Sequence, residues 1–212
     1  DVSGSMDGSP LDNVKRIMNS FMDSVQFSSG DLVELTTFSS DVTVNCEFTS
    51  DQATLKNRIN SFKADGLTSL YDALYLAVNR VAAKSGAKCV IAFTDGLDNH
   101  SKTTVTEVIK QAQNYKVPIF LIGTGNVSNS DLDKIANQTG GFYKNIASIT
   151  SLQDIYSQIY RQQKELYLVE YEDNNTEMYK NREIKLSYKS KDYEGEQDYD
   201  FEPRSEERRV GK

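Results

Sequence analysis

The chain has 212 residues, 38% hydrophobic and 26% charged, with a formal net charge of −7. That length suits one α/β domain with a small appendage, and the composition is ordinary for a globular protein. The acidic balance argues against nucleic acid, where phosphate contacts need Lys and Arg, and against an anionic membrane surface, and no run of about 18 apolar residues exists to form a transmembrane helix.

Taken in chain order, Leu11, Val14, Ile17, Met18, Phe21, Met22 and Val25 recur at helical spacing and predict a helix over 10–25, with Pro10 in its first turn. Residues 31–38 and 42–48 read as strands, and the short link Ser39-Ser40-Asp41 allows an antiparallel hairpin. Thr49 or Ser50 is the expected cap of a helix carrying Leu55, Ile59 and Phe62. After the loop 64–67, Thr68 or Ser69 opens a helix with Leu70, Ala73, Leu74, Ala77, Val78 and Val81 on one face. The run 88–94 is short, apolar and bounded by Gly86 and Gly96, the pattern of a buried parallel strand. A helix over 104–115, a strand over 117–122, a short helix over 131–138, a short strand over 141–144 and a last amphipathic helix over 150–164 follow. Strands alternating with helices predict a parallel sheet covered on both faces. From 166 the texture changes to alternating strands at 166–171, 183–189 and 197–201, which predict a small antiparallel β appendage.

The expected organisation is therefore a domain over 1–165, a β-rich appendage over 166–203, and a tail over 204–212. The tail resembles the translation of a common sequencing adapter (AGA TCG GAA GAG CGT CGT GTA GGG AAA) at all nine residues, so it is set aside from fold reasoning. Without its four basic and two acidic residues the chain is more acidic still.

Three pieces carry the chemistry. The chain opens Asp1-Val2-Ser3-Gly4-Ser5, a D-x-S-x-S pattern. Gly66-Leu67-Thr68-Ser69-Leu70 follows at a predicted helix start, and Phe93-Thr94-Asp95-Gly96-Leu97-Asp98-Asn99 at a predicted strand end. Two carboxylates and three hydroxyls make an all-oxygen donor set of the kind a hard cation such as Mg²⁺ takes. Together, and in this order, the pieces resemble the metal-ion-dependent adhesion site (MIDAS) of the von Willebrand factor A family, and the resemblance in element order runs from Asp1 to about Lys164.

The resemblance implies a Rossmann-like, doubly wound, mostly parallel sheet in the order 3-2-1-4-5-6, with its strand 3 antiparallel. It implies one divalent ion, Mg²⁺ or else Mn²⁺ or Ca²⁺, held by Asp1, Ser3, Ser5, Thr68 and Asp95, with the two carboxylates acting largely through waters. An ion so weakly neutralised keeps an open position for a carboxylate from a partner protein. Asp7 and Asp98 are expected at the rim, tuning charge rather than ligating, and Asp72 on a helix surface. Because the family places the first Asp at the end of a central buried strand, that strand is expected to be missing here, leaving a sheet split at its centre and a chain that folds poorly.

The implied function is a non-enzymatic, metal-dependent protein-binding module of adhesion type, at the cell surface or secreted in preference to cytoplasmic. A second reading is an intracellular scaffold partnering an ATPase, as in magnesium chelatase assemblies. A third is Mg²⁺-dependent phosphoryl transfer with Asp1 as nucleophile, which lacks a catalytic His or Lys nearby in sequence. Other signals are set aside. On the family's strand order Cys46 and Cys89 lie about 14 Å apart, too far for a disulfide, and are read as buried free thiols. His100 is read as a solvated loop residue. Gly123-Thr124-Gly125 lacks the remainder of a phosphate loop. Sequons at Asn99, Asn126, Asn137 and Asn174 matter only in a secretory eukaryote. The tyrosines crowding the C-terminal third are read as cross-strand packing.

Overall fold

Helical spacing of apolar residues produces α1 (Ser9–Ser24), whose buried stripe is Leu11, Val14, Ile17 and Met22. In the computed structural model of the chain, residues 1–95, 98–124, 130–145, 155 and 158–161 are described, with the backbone of 182–189 and 194–201. Past Gly30, in the left-handed region at φ +94° that a side chain would strain, the chain enters β1 (Val33–Phe38) and β2 (Val42–Thr49). They pair antiparallel with Phe38 opposite Val42, so the three-residue link does close a hairpin. α2 (Gln52–Asn60) corrects the expected cap. Asp51, not Thr49 or Ser50, accepts from the Thr54 N–H at 3.1 Å, and Thr49 instead accepts from the Asp51 N–H. A carboxylate one residue before the helix reaches the third amide, which is where an N-cap oxygen is needed.

Then come α3 (Leu70–Ala82), β3 (Val90–Thr94), α4 (Val105–Tyr115), β4 (Ile119–Gly123), α5 (Ser130–Gln138) and β5 (Tyr143–Asn145). α4 starts on a capping box between Thr104 and Glu107. Strands β3, β4 and β5 form a parallel sheet in that order, Val90 opposite Ile119 and Leu121 opposite Tyr143. β4 shows why its sequence is an unbroken apolar run. Ile119 and Leu121 pack with Leu74, Val108 and Ile135 from α3, α4 and α5, while Phe120 and Ile122 pack with Leu11, Val14 and Ile17 of α1. A strand covered on both faces has no polar side to show. Gly141, just before β5, is a forced glycine: a Cβ there would lie 1.9 Å from the Ile119 carbonyl oxygen.

Among the described residues, the β1–β2 and β3–β4–β5 ladders share no hydrogen-bonded strand. A cavity of about 520 Å³ separates β1 from β3, lined by Thr36, Phe38, Cys89, Ile91 and Phe93 among others. At its end, the Val2 N–H donates to the Phe38 carbonyl at 2.9 Å and the Asp1 amino group to the Phe93 carbonyl at 3.0 Å. The two opening residues thus touch the ends of both neighbouring strands in turn. Both cysteines are free and half-buried, where full burial was expected, because Cys89 lines this cavity and Cys46 sits on the two-stranded ladder.

These elements belong to a first unit, Asp1–Leu166; a second, Tyr167–Lys212, contains β6 (Arg182–Lys189) and β7 (Glu194–Phe201), an antiparallel pair with Arg182 opposite Phe201. Of the predicted last helix, Ile155 and residues 158–161 are helical. The rest of that helix, and the strand predicted over 166–171, lie outside the described residues.

Candidate metal centre

β1 and β3 both end beside Asp1 and Val2, and the predicted donors come from the opening segment (Asp1, Ser3, Ser5), the link between α2 and α3 (Thr68) and the residue after β3 (Asp95). Asp1 is fixed at both carboxylate oxygens. The Ser3 N–H donates to Oδ1 at 2.8 Å and the Thr94 hydroxyl to Oδ2 at 2.7 Å. Beyond it the chain takes a single 3₁₀ turn, Gly4–Met6, which brings the Ser3 and Ser5 hydroxyls within 3.1 Å of each other. The Ser5 hydroxyl then donates to Asp95 Oδ1 at 2.9 Å, spanning ninety residues of sequence. Asp1, Ser3, Ser5 and Asp95 are therefore brought together in one cluster.

Thr68 reaches the same edge through a loop stitched on three sides. The Gly66 carbonyl accepts from the Gly4 N–H at 2.9 Å, and the Asp65 N–H donates to the Val2 carbonyl at 2.9 Å. Gly66 has φ +80°, and a Cβ there would meet the Ser40 hydroxyl at 2.7 Å, so the close approach needs glycine. The Leu67 N–H donates to Ser40 Oγ at 3.0 Å and the Ser69 N–H to the Ser39 carbonyl at 2.8 Å. The Thr68 N–H donates to Asn99 Oδ1 at 2.9 Å. Thr68 and Ser3 are 4% and 1% exposed as residues, and the Thr68 hydroxyl has no hydrogen-bond partner among the described residues.

This donor set fits a hard divalent cation: every group offered is oxygen, three hydroxyls and two carboxylates, with Asp1 already oriented. Among the described residues there is no group of three or more His, Cys, Asp or Glu that could hold a metal, so any ion at this edge depends on the hydroxyls.

The two rim candidates are placed differently. Asp7 is exposed. Asp98 is half-buried and turned toward α3: its Oδ2 accepts from the Tyr71 N–H at 3.0 Å and from the Ser101 hydroxyl. Asp72, expected on a helix surface, lies half-buried in the first turn of α3 and grips the same loop, accepting from the Lys102 and Thr103 N–H groups at 3.1 and 2.8 Å. Burial raises its carboxyl, but the Thr103 and Lys102 hydrogen bonds outweigh that and hold it below its usual range. Ser69, the residue before α3, turns its hydroxyl to the Ser40 carbonyl and makes no cap hydrogen bond to the helix. Asp98 and Ser101 serve the first amides of α3 in its place. His100 is exposed, as read from sequence. Sequence reasoning missed Thr94 and Asn99 as neighbours of the donors. Both lie in the piece 93–99 that carries Asp95, but their roles are not readable there, since each acts on a residue tens of positions away.

An α/β domain with an all-oxygen cluster at the carboxyl edge of its strands is the class defined by this geometry. The chain belongs to the von Willebrand factor type A domain family, whose model matches residues 1–158. A curated relative is the probable bifunctional E2/E3 enzyme R795 of Acanthamoeba polyphaga mimivirus, 26% identical over 157 residues; the match covers 69% of this chain and only 12% of that protein. Among solved structures, proximal thread matrix protein 1 from the mussel byssus, with a zinc-occupied MIDAS motif, superposes with a TM-score of 0.64 at 22% identity, over 76% of this chain and 43% of that one. The von Willebrand domain of the type V pili tip protein Mfa5 from Porphyromonas gingivalis gives 0.61 at 14% identity, over 80% and 96%. At these identities the structural likeness is one of fold.

Proposed function

We propose that this domain is a metal-dependent protein-binding module that holds one divalent ion, Mg²⁺ or else Mn²⁺ or Ca²⁺, at Asp1, Ser3, Ser5, Thr68 and Asp95. The observation that supports the reading is the hydrogen-bonded run Thr94–Asp1–Ser3–Ser5–Asp95, which links the chain start to the end of β3, together with the Gly4 N–H bond to Gly66, two residues before Thr68. With the two carboxylates acting largely through waters, the groups that touch the ion directly are three neutral hydroxyls, and an ion so weakly neutralised in its inner shell offers its open position to an external carboxylate. The partner is accordingly a protein supplying an Asp or Glu side chain. Asp1 and Asp95 orient and neutralise, the hydroxyls ligate directly, and no residue is given a catalytic role.

The same reading takes the two ladders as parts of one sheet in the family's order 3-2-1-4-5-6. The successive hydrogen bonds of Asp1 and Val2 to Phe93 and Phe38 support it. It also takes 1–165 as the binding domain and 166–203 as an appendage. Among the described residues no helix is long and apolar enough to cross a membrane. The byssal-thread and pilus-tip settings of the two structural neighbours favour a cell-surface or secreted protein.

Thr68→Ala and Asp95→Ala are each expected to abolish Mg²⁺- or Mn²⁺-dependent binding while the domain stays folded by circular dichroism. Calorimetric titration of both ions into both variants makes the test. Affinities equal to the parent in both would sink the assignment.

A further inference from the structure

We propose that Asn99 is a positioning residue for this site, acting through Thr68; the inference rests on the reading of the donor set given above. Thr68 precedes α3 and so receives no intrahelical hydrogen bond of its own. Both polar groups of its backbone are instead held by two consecutive residues of the loop that begins at Asp95. The Thr68 N–H donates to Asn99 Oδ1 at 2.9 Å, and the Thr68 carbonyl accepts from the Asn99 and His100 N–H groups at 3.0 and 3.1 Å. A threonine has few side-chain rotamers, so fixing its backbone largely fixes where its hydroxyl sits. Asn99 Oδ1 is committed to that amide, which makes it a brace for a donor and not a donor itself.

The same short span ties the two sides of the donor set to each other. Asp95 opens it, Asp98 accepts from Tyr71 N–H, Asn99 grips Thr68, and Ser101 Oγ accepts from Asp72 N–H at 3.0 Å. Asp98, Asn99 and Ser101 thus hold Thr68 and the start of α3 by contacts outside the donor set. Mg²⁺ demands near-octahedral oxygen geometry at short range, so a brace of this kind is read out as metal affinity. Deleting a group that orients a metal ligand weakens binding by about ten- to a hundredfold. Here two of the three bonds to Thr68 are made by backbone N–H groups and survive any side-chain change, which puts the expected effect near the lower end, about tenfold.

The test uses the whole chain, ¹⁵N-labelled, as parent, Asn99→Ala and Asn99→Asp. Mg²⁺ affinity is measured by calorimetry and the exchange rate of the Thr68 amide by NMR. Asn99→Ala is expected to bind Mg²⁺ about tenfold more weakly, with faster exchange confined to Thr68 and its neighbours. Asn99→Asp keeps an oxygen acceptor in the same place and is expected to restore slow Thr68 exchange and at least the parent affinity. The proposal is overturned if Asn99→Ala binds Mg²⁺ like the parent, if Asn99→Asp is as weak as Asn99→Ala, or if exchange quickens across the whole domain. A parent that binds neither Mg²⁺ nor Mn²⁺ overturns the site assignment itself, whereas a binding parent with an indifferent Asn99→Ala overturns only the role of Asn99.

Discussion

Thr94→Val probes the site through a residue outside the predicted donor set. Thr94 is fully buried at the end of β3, and its hydroxyl donates to Asp1 Oδ2 at 2.7 Å. Valine has nearly the same shape and suits a buried strand, so packing is expected to survive. The loss includes the hydrogen bond to the Asp1 carboxylate, worth about 1.5–3 kcal/mol when a charged group is involved. Asp1 keeps its Ser3 N–H bond at Oδ1 but loses the restraint on its second oxygen. If Asp1 helps hold a dication, that energy is drawn from metal affinity, and each ~1.4 kcal/mol is a factor of ten. Thr94→Val should thus weaken Mn²⁺ binding by about ten- to a hundredfold, followed by the loss of the free-ion EPR signal on titration, with little change in the apo melting curve. Thr94→Ser, which keeps the hydroxyl, should stay within a few-fold of the parent. A folded Thr94→Val protein with parent Mn²⁺ affinity would refute the claim that Asp1 must be oriented in order to bind.

Other perturbations test the framework that carries the site. Gly141→Ala forces a Cβ to within 1.9 Å of the Ile119 carbonyl oxygen, a backbone atom that cannot swing aside; β5 must shift, and overpacking of this kind costs about 1–3 kcal/mol or more, read as a lowered denaturation midpoint in urea. Cys89, its thiol pushed up to about 12 by burial against an ordinary value of 9.0, should be almost inert to a disulfide reagent at pH 8. At that pH its thiolate fraction is about a thousandfold below that of an ordinary thiol, and it rises with pH toward 12. Labelling kinetics in a Cys46→Ser background check this, and rapid labelling at pH 8 before unfolding would contradict it.

The framework was legible in the sequence because it depends on periodicity, and periodicity is local. Leu11, Val14, Ile17 and Met22 announce one buried stripe of α1 by spacing alone, and the unbroken apolar run of β4 announces a strand covered on both faces. Fine points failed where two neighbouring residues could both do the job, as with Asp51 taking the cap that Thr49 or Ser50 was expected to supply. The proposed donors Asp1, Ser3, Ser5, Thr68 and Asp95 could be picked out because a known pattern names them, not because their chemistry is visible one residue at a time. Their braces have no such pattern. Thr94 reads only as the last residue of a strand, Asp98 as a spare acid beside the site, Asn99 as a loop residue in a sequon. Each gains its role from which loops happen to lie side by side: Thr94 because β3 ends against the first residue of the chain, Asp98 because Ser69 spends its hydroxyl on Ser40 and leaves the α3 amides to another loop. On the proposed reading, the residues that would set how well an ion is held are therefore the ones that sequence hides best, and substitutions at Thr94 and Asn99 are expected to tune affinity while leaving the five-residue pattern intact.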